Sequence, residues 1–216
     1  MRVYCDFDGT ITVLDTTDQV LAHRADPRWR ELEDDWVAGR ITAAECMRGQ
    51  IALIDTDEAA LDAVLDRCEL RPGFIAFAGW CRDNGVALTV VSDGVDRFIT
   101  RILSRHGLDG LPVVSNQLAL DGESYRLAQP YARLGCAAGS GVCKCAVVTE
   151  AAGDGPMVFI GDGRSDFCVS ARADILFARD KLAAYAAERK QAFTPFETFD
   201  DVRAALASLH ARRHTA

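Results

Sequence analysis

Short apolar runs bounded by glycine or polar residues alternate along most of the chain with segments whose apolar residues recur at helical spacing. The runs predict buried strands near residues 2–6, 86–91, 113–115, 157–160 and 174–177. The other segments predict helices near 74–84, 95–106, 143–152 and 165–172, and a last helix from about Asp200 to Arg212. Residues 117–128 are predicted to form a hairpin that turns at Asp121-Gly122. This alternation predicts an α/β fold, a Rossmann-like doubly wound sheet that is mostly parallel and covered on both faces.

One long segment departs from the alternation. Residues 16–71 are helical in pattern and contain no run typical of a strand, and Arg71-Pro72-Gly73 marks the return to the alternating pattern. The sequence therefore predicts a core and an inserted helical cap, formed by residues 1–15 with 72–216 and by residues 16–71 respectively. A cap in that position can close over a site, exclude water and select a ligand.

Two carboxylates stand at the end of the first predicted strand. Asp6 and Asp8 are two residues apart, and residues i and i+2 of a strand point the same way. Gly9 then allows the chain to turn. Ligand sites of open α/β sheets usually lie at the carboxyl ends of the strands, so this acidic pair predicts a functional site.

A second strand, near residues 86–91, ends in Ser92-Asp93-Gly94. The Ser92 hydroxyl and the neighbouring backbone N–H groups are suited to holding an anion such as phosphate. Lys144, one of only three lysines in the chain, opens a predicted helix further along. A compact ammonium is suited to a point contact between a phosphate and a carboxylate.

A third strand is followed by Gly161-Asp162-Gly163-Arg164-Ser165-Asp166. Its two aspartates lie around a glycine turn, where they can cap a helix or bind a metal ion. Asp166 can serve in both ways. The three polar strand ends are expected to meet at one edge of the sheet.

In this order, Asp-x-Asp-Gly-Thr, the serine, the lysine and Gly-Asp-Gly-x-x-Asp resemble the motifs of the haloacid dehalogenase-like phosphatases. The resemblance implies that Asp6 attacks phosphorus to form an aspartyl phosphate, and that Asp8 is the general acid and base. It also implies that the phosphate is held by Ser92, Asp93, Gly94 and Lys144.

The same resemblance implies a bound Mg²⁺, and the charges support one. Two carboxylates about 4 Å apart repel by roughly 4 kcal/mol at an effective dielectric near 20. Several such pairs and a phosphate dianion exceed what one lysine can offset. We expect Mg²⁺ to be held by Asp6, the Asp8 carbonyl and Asp162, with Asp166 supporting these ligands from behind.

Two subfamilies fit the length and the position of the cap. The chain resembles the methylthiopentenyl-phosphate phosphatases of methionine salvage along nearly its whole length, and the phosphoserine phosphatases less closely. The candidate specificity residues are Asp15, Arg48, Gln50 and Arg164. Alternatives that stay open are phosphoserine hydrolysis, phosphoryl transfer to an acceptor other than water, and non-catalytic binding of a phosphorylated ligand.

Composition and charge limit the classes of partner that this protein is expected to have. The net charge of −8 and the pI near 5.0 disfavour nucleic acid, and no segment has the length and apolarity of a membrane span. A cytoplasmic enzyme acting on a small phosphorylated metabolite is expected. Of the eight cysteines, Cys136, Cys143 and Cys145 have a spacing that fits no common zinc pattern, and a metal or redox role for them stays open.

Overall fold

A seven-stranded sheet lies at the centre of the computed structural model, which describes residues 1–121, 124–151, 153 and 155–214. Numbered along the chain, its strands are β1 (Arg2–Cys5), β2 (Ala87–Val95), β3 (Val113–Asp121), β4 (Ser124–Ala128), β5 (Met157–Gly161), β6 (Ile175–Ala178) and β7 (Thr194–Pro195). Their order is β4-β3-β2-β1-β5-β6-β7, and all neighbours are parallel except β3 and β4. The predicted α/β fold is confirmed.

The helices fall into two groups. Four lie between residues 16 and 71: α1 (Thr16–Arg24), α2 (Trp29–Val37), α3 (Ala43–Ile51) and α4 (Glu58–Leu65). The others follow the strands: α5 (Phe74–Asp83), α6 (Asp96–Ser104), α7 (Lys144–Glu150), α8 (Phe167–Ser170), α9 (Asp180–Glu188) and α10 (Phe199–His214). In the described residues no helix is long and apolar enough to cross a bilayer.

Side chains before three of the first four helices explain where those helices begin. Asp15, Thr42 and Asp57 each accept a hydrogen bond from the backbone N–H three residues further on. The 16–71 segment is helical as expected, and its division from the core as a cap stays a prediction.

The two faces of the sheet are both buried, as a parallel sheet requires. Val3 and Cys5 of β1 point to one face, where they pack with α5, α6 and α10, and Tyr4 points to the other, towards α7 and α9. Alternate residues of β5 divide in the same way. Because β1 and β5 are buried on both sides, their residues are apolar apart from Arg2 at the start of β1 and Gly161 at the end of β5, and Asp6 and Asp162 follow directly after the strands.

Some elements differ from the sequence prediction. β2 and β3 run further than their apolar runs, to Val95 and Asp121, and α9 and β7 were not predicted. The antiparallel pairing of β3 with β4 agrees with the predicted hairpin. The glycine of its Asp121-Gly122 turn lies outside the described residues.

Candidate active site

Strand register brings the predicted site residues to one edge of the sheet. Cys5 at the end of β1 is level with Val90 of β2 on one side and with Ile160 of β5 on the other. The Asp6 N–H then donates to the Ile160 carbonyl at 2.9 Å. Asp6 and Asp162, which follow β1 and β5, and the last part of β2 from Ser92 therefore lie at the same edge of the sheet.

A buried ammonium joins two of the aspartates. Lys144 Nζ lies 2.7 Å from Asp6 Oδ1 and 2.6 Å from Asp166 Oδ1, and the lysine is only 1% exposed. The second oxygen of Asp166 accepts the backbone N–H groups of Asp162 and Gly163, each at 3.1 Å. Both oxygens of Asp166 are thus engaged, and its support of the metal ligands stays a prediction.

Burial and charge act in opposite directions in this group. Burial, and then the negative charge of Asp166, raise the pKa of Asp6 well above its usual value, while Lys144 lowers it. Burial would lower the pKa of Lys144, but Asp166 and Asp6 raise it above the ordinary lysine value. The raised pKa keeps Lys144 charged. Its positive charge offsets the negative charges of the Asp6 and Asp166 carboxylates.

Three carboxylates at this edge form a group that a hard cation can occupy. Oxygens of Asp6, Asp162 and Asp166 lie within 4.8 Å of one another. Thr10 donates a hydrogen bond to Asp162 Oδ1 at 2.6 Å and orients this carboxylate. Burial raises the pKa of Asp162 to about 6. The excess of negative charge fits Mg²⁺, and oxygen is the ligand type it prefers.

Asp8 lies across the strand end from this group. Its carboxylate accepts the N–H of Thr16 at 2.9 Å and the hydroxyl of the same residue, and Ser92 Oγ is 3.4 Å from its other oxygen. Burial raises the pKa of Asp8 despite these hydrogen bonds. A Cβ at Gly94 would overlap the Asp8 carboxylate, so the absence of a side chain at Gly94 keeps this space open.

The side chains of Ser92 and Asp93 have partners within the protein, which the sequence did not predict. Ser92 is fully buried, and its hydroxyl accepts the Gly94 N–H at 2.9 Å. The Asp93 carboxylate turns towards the segment before α7, where it accepts the Val142 N–H at 2.9 Å and an Asn116 Nδ2–H at 3.2 Å. This carboxylate holds the segment that leads to Lys144, and phosphate binding by Asp93 stays a prediction.

Two candidate specificity residues have structural partners. The Asp15 side chain caps α1 by accepting the Asp18 N–H at 3.0 Å. Gln50 is 5% exposed, and its amide donates to Glu33 Oε2 at 3.0 Å and to the Trp29 carbonyl at 3.4 Å. The Gln50 amide thus joins α3 to α2 and is not brought together with the aspartates.

The other two candidates lie where the helical segment meets the core. Arg48 donates to the side chain of Gln129. Arg164 is exposed, and its guanidinium carbon lies 5.9 Å from the centre of the Trp36 ring. Arg164 therefore faces α2. Contact with a substrate stays a prediction for both arginines.

Sequence analysis did not identify Arg71 as a functional residue. It interpreted Arg71 only as part of the boundary at which the alternating pattern returns. Its buried guanidinium donates to the carbonyls of Gly9 at 2.6 Å, Thr10 at 2.8 Å and Thr12 at 3.3 Å, and its N–H donates to the Ile11 carbonyl at 2.7 Å. The turn that follows Asp8 is thus held from behind. An arginine followed directly by Pro-Gly, at the return to the core, was the available signal.

Replacement of Arg71 by Met is expected to release this turn. Three carbonyls would lose a charged donor, at a cost of roughly 1–3 kcal/mol of stability, and the kcat of the expected phosphate-releasing reaction should fall about tenfold or more because Asp8 is no longer held. Thermal unfolding and steady-state kinetics measure the two effects. Arg82→Met is the control, because Arg82 is exposed and, among the described residues, forms its ion pair with its neighbour Asp83. A wild-type kcat in Arg71→Met would contradict the positioning role.

Comparison with known proteins adds two findings. A profile of the haloacid dehalogenase-like hydrolases matches residues 3–171. The 2-hydroxy-3-keto-5-methylthiopentenyl-1-phosphate phosphatase of Geobacillus thermodenitrificans is 34% identical over 93% of this chain and 92% of its own length. The protein of the same name from Brevibacillus brevis is 30% identical, with 93% and 92% covered.

Solved structures agree on the fold. A substrate-bound phosphoserine phosphatase superposes with a TM-score of 0.71 at 16% identity, covering 93% of this chain and 95% of that one. Cytosolic 5'-nucleotidase IIIB bound to cytidine gives 0.68 at 17% identity, with 100% and 86% covered. The motifs, the sheet that carries them and the full-length relatives lead to one conclusion: the chain belongs to the haloacid dehalogenase-like hydrolase family.

Proposed function

We propose that this phosphomonoester hydrolase cleaves a small phosphorylated metabolite through a phosphorylated Asp6, and that its substrate is 2-hydroxy-3-keto-5-methylthiopentenyl-1-phosphate or a close analogue. The observation that carries the mechanism is the buried Lys144 ammonium, 2.7 Å from Asp6 Oδ1. A cation beside the attacking oxygen can also bind the phosphoryl oxygens and stabilise the charge that develops on them.

The reaction has two displacements at phosphorus. In the first, an Asp6 oxygen bonds to phosphorus, the bond to the alcohol oxygen breaks, and Asp8 gives that oxygen a proton. In the second, a water oxygen attacks phosphorus, Asp8 takes the water proton, and the bond to Asp6 breaks. The raised pKa of Asp8 favours the protonated acid that the first step requires.

Asp6, the Asp8 carbonyl and Asp162 would hold Mg²⁺, with Asp166 supporting them. Bound there, the ion would neutralise phosphoryl oxygens and polarise the phosphorus they surround. Its main support is the group of three carboxylates within 4.8 Å.

Metal removal is expected to lower turnover to about 1% or less, because Asp6 and Asp162 would then repel the phosphate. The test compares phosphate release with chelator and after return of Mg²⁺. Mg²⁺ should also raise the melting temperature of the wild type. In Asp162→Asn a higher Mg²⁺ concentration should be needed for both effects. Full turnover in metal-free protein would contradict the proposal that Mg²⁺ binds at this site and is required for the reaction.

The substrate assignment rests on the relatives and on one local feature. The loop after the Asp8 turn exposes Val13 by 41% and Leu14 by 59%. A cavity of about 340 Å³ lies beside it, and Val64 of α4 and Cys68 also line it. These apolar groups are suited to a methylthio end. Gln19, His23, Arg67 and Glu69 line the same cavity, so the preference for the methylthio compound over phosphoserine rests on the relatives.

A matched panel tests the assignment. Phosphate release should be measured with the methylthiopentenyl phosphate, with an analogue in which a hydroxyl replaces the methylthio group, and with phosphoserine. We expect kcat/KM to be highest for the first and about tenfold or more lower for the hydroxyl analogue. A preference for phosphoserine would reverse the assignment within the same reaction. Phosphoryl transfer to added alcohols in place of water would identify a transferase.

A further inference from the structure

Four of the eight cysteines converge beside Lys144 and Asp166. Cys143 and Cys145 flank the lysine, Cys136 precedes them in the loop, and Cys168 follows Asp166 by two residues. The Cys145 thiol donates to Cys168 Sγ at 2.8 Å, and the Cys136 thiol lies near enough to Cys143 to contribute, after burial, to its raised pKa. Sequence spacing pointed to three of these residues and missed Cys168, which lies 23 positions from Cys145.

We propose that Cys145 and Cys168 are a redox-modification site, where a reversible disulfide joins α7 to α8. Their sulfur atoms, at 2.8 Å, are closer than non-bonded sulfur atoms usually lie, and an approach of less than about 1 Å completes a disulfide bond. Both side chains are partly exposed, so a small oxidant can reach them. The inference does not depend on the substrate or on the reaction proposed above.

A disulfide fits these thiols better than a structural metal. Among the described residues, the aspartate group is the only set of three metal-ligating side chains whose ligand atoms gather within 4.8 Å. The cysteines meet in pairs instead. A four-thiolate zinc site needs all four sulfurs at about 2.3 Å from one ion.

The oxidant is a low-molecular-weight disulfide, and the exchange balances. The Cys145 thiolate attacks one sulfur of the oxidant and expels the other half as a thiolate. Cys168 then loses its proton to water, attacks Cys145 Sγ and expels the second half. Two electrons pass from the protein to the oxidant, which leaves as two thiols. The reverse order, in which Cys168 reacts first with the oxidant, gives the same disulfide.

The bond would connect the elements that position the buried ion pair. Cys145 is the residue after Lys144 at the start of α7, and Cys168 lies in α8 just beyond Asp166. Because the two thiols already touch, the link should form with little movement. It would also constrain the unfolded chain, so the oxidised protein should melt about 5–10 °C higher than the reduced protein.

Disulfide mapping of the full chain tests the proposal. The protein would be equilibrated with mixtures of oxidised and reduced glutathione, acid-quenched, alkylated in denaturant and digested without reductant. We expect a linked peptide pair that contains Cys145 and Cys168, together with the higher melting temperature, and dithiothreitol should reverse both. Cys168→Ser should lose both effects. Cys81→Ser, which changes a buried cysteine of α5, should keep them.

Three results would overturn the proposal. One is a link between Cys136 and Cys143 in place of the proposed pair. Another is glutathione adducts with no internal link. The third is about one zinc ion per purified chain that Cys145→Ser abolishes, which would assign the thiols to a metal. Mapping of the wild-type protein decides the first two even if a variant fails to fold.

Discussion

Replacement of Asp6 by Asn is expected to abolish turnover and leave the fold intact. The carboxamide keeps an oxygen for Lys144 and for the Phe7 N–H, which lie 2.7 and 2.8 Å from Asp6 Oδ1. It cannot form the phosphorylated intermediate, because an amide oxygen is a poor nucleophile. We therefore expect kcat to fall by at least about 10³-fold.

The stability of the Asp6→Asn variant, unlike its activity, should not fall. Burial and the charge of Asp166 raise the pKa of Asp6, so the ionised Asp6 destabilises the folded state at neutral pH. That cost is absent below the unfolded pKa and grows as pH rises through the folded pKa. A neutral side chain removes it, so metal-free Asp6→Asn should melt at or above the wild-type temperature at pH 7.

Two measurements separate this result from a general loss of activity. Rapid acid quench of the wild type should trap a hydroxylamine-sensitive phosphoprotein whose label maps to the peptide containing Asp6, and the variant should give none. Hydrolysis of a phosphate chiral at phosphorus should proceed with retention, because two inversions occur. Inversion would mean direct attack by water. Asp83→Asn, an exposed change outside the site, is the control.

The sequence predicted the strand ends well because their signal is local. Buried parallel strands are mostly apolar, so Asp6 and Asp162 mark where β1 and β5 end, and parallel register brings them level with the last part of β2, which contains Ser92. The motif resemblance gave their order. Lys144 could be placed because lysine is rare in this chain.

Other contacts depend on the tertiary structure and had no local signal. Arg71 is 61 positions from Thr10, whose carbonyl it binds, and Cys168 is 23 positions from Cys145. Gln50 was a candidate specificity residue through the resemblance to phosphoserine phosphatases, and a sequence does not give the direction of a side chain. In the structure its amide donates to Glu33, and contact with a substrate stays a prediction.

The second large effect is expected from Lys144→Met. The variant keeps an unbranched side chain and removes the ammonium, so the carboxylates of Asp6 and Asp166 lose their shared counter-charge. Breaking a buried ion pair in this way should cost about 3–5 kcal/mol of stability. Loss of the cation next to the phosphoryl group should lower kcat/KM by at least about 10²-fold.

Denaturant unfolding and phosphate release measure the two effects, each with and without Mg²⁺. Lys190→Met, which changes an exposed lysine, is the matched control and should alter neither. Lys144→Arg is expected to lose activity as well, because the planar guanidinium does not fit between two carboxylates spaced for an ammonium. Wild-type activity in Lys144→Met would remove this residue from the site.

The double variant Lys144→Met/Asp166→Asn separates charge balance from catalysis. It removes one negative charge together with the positive one, so most of the lost stability should return. The new carboxamide retains an oxygen for the N–H groups of Asp162 and Gly163, which the Asp166 carboxylate accepts in the wild type. Recovery of folding without turnover would mean that the ammonium acts on the phosphoryl group itself. Recovery of both would reduce Lys144 to a counter-charge for Asp166, and the phosphate contact would then have to come from the Ser92 turn.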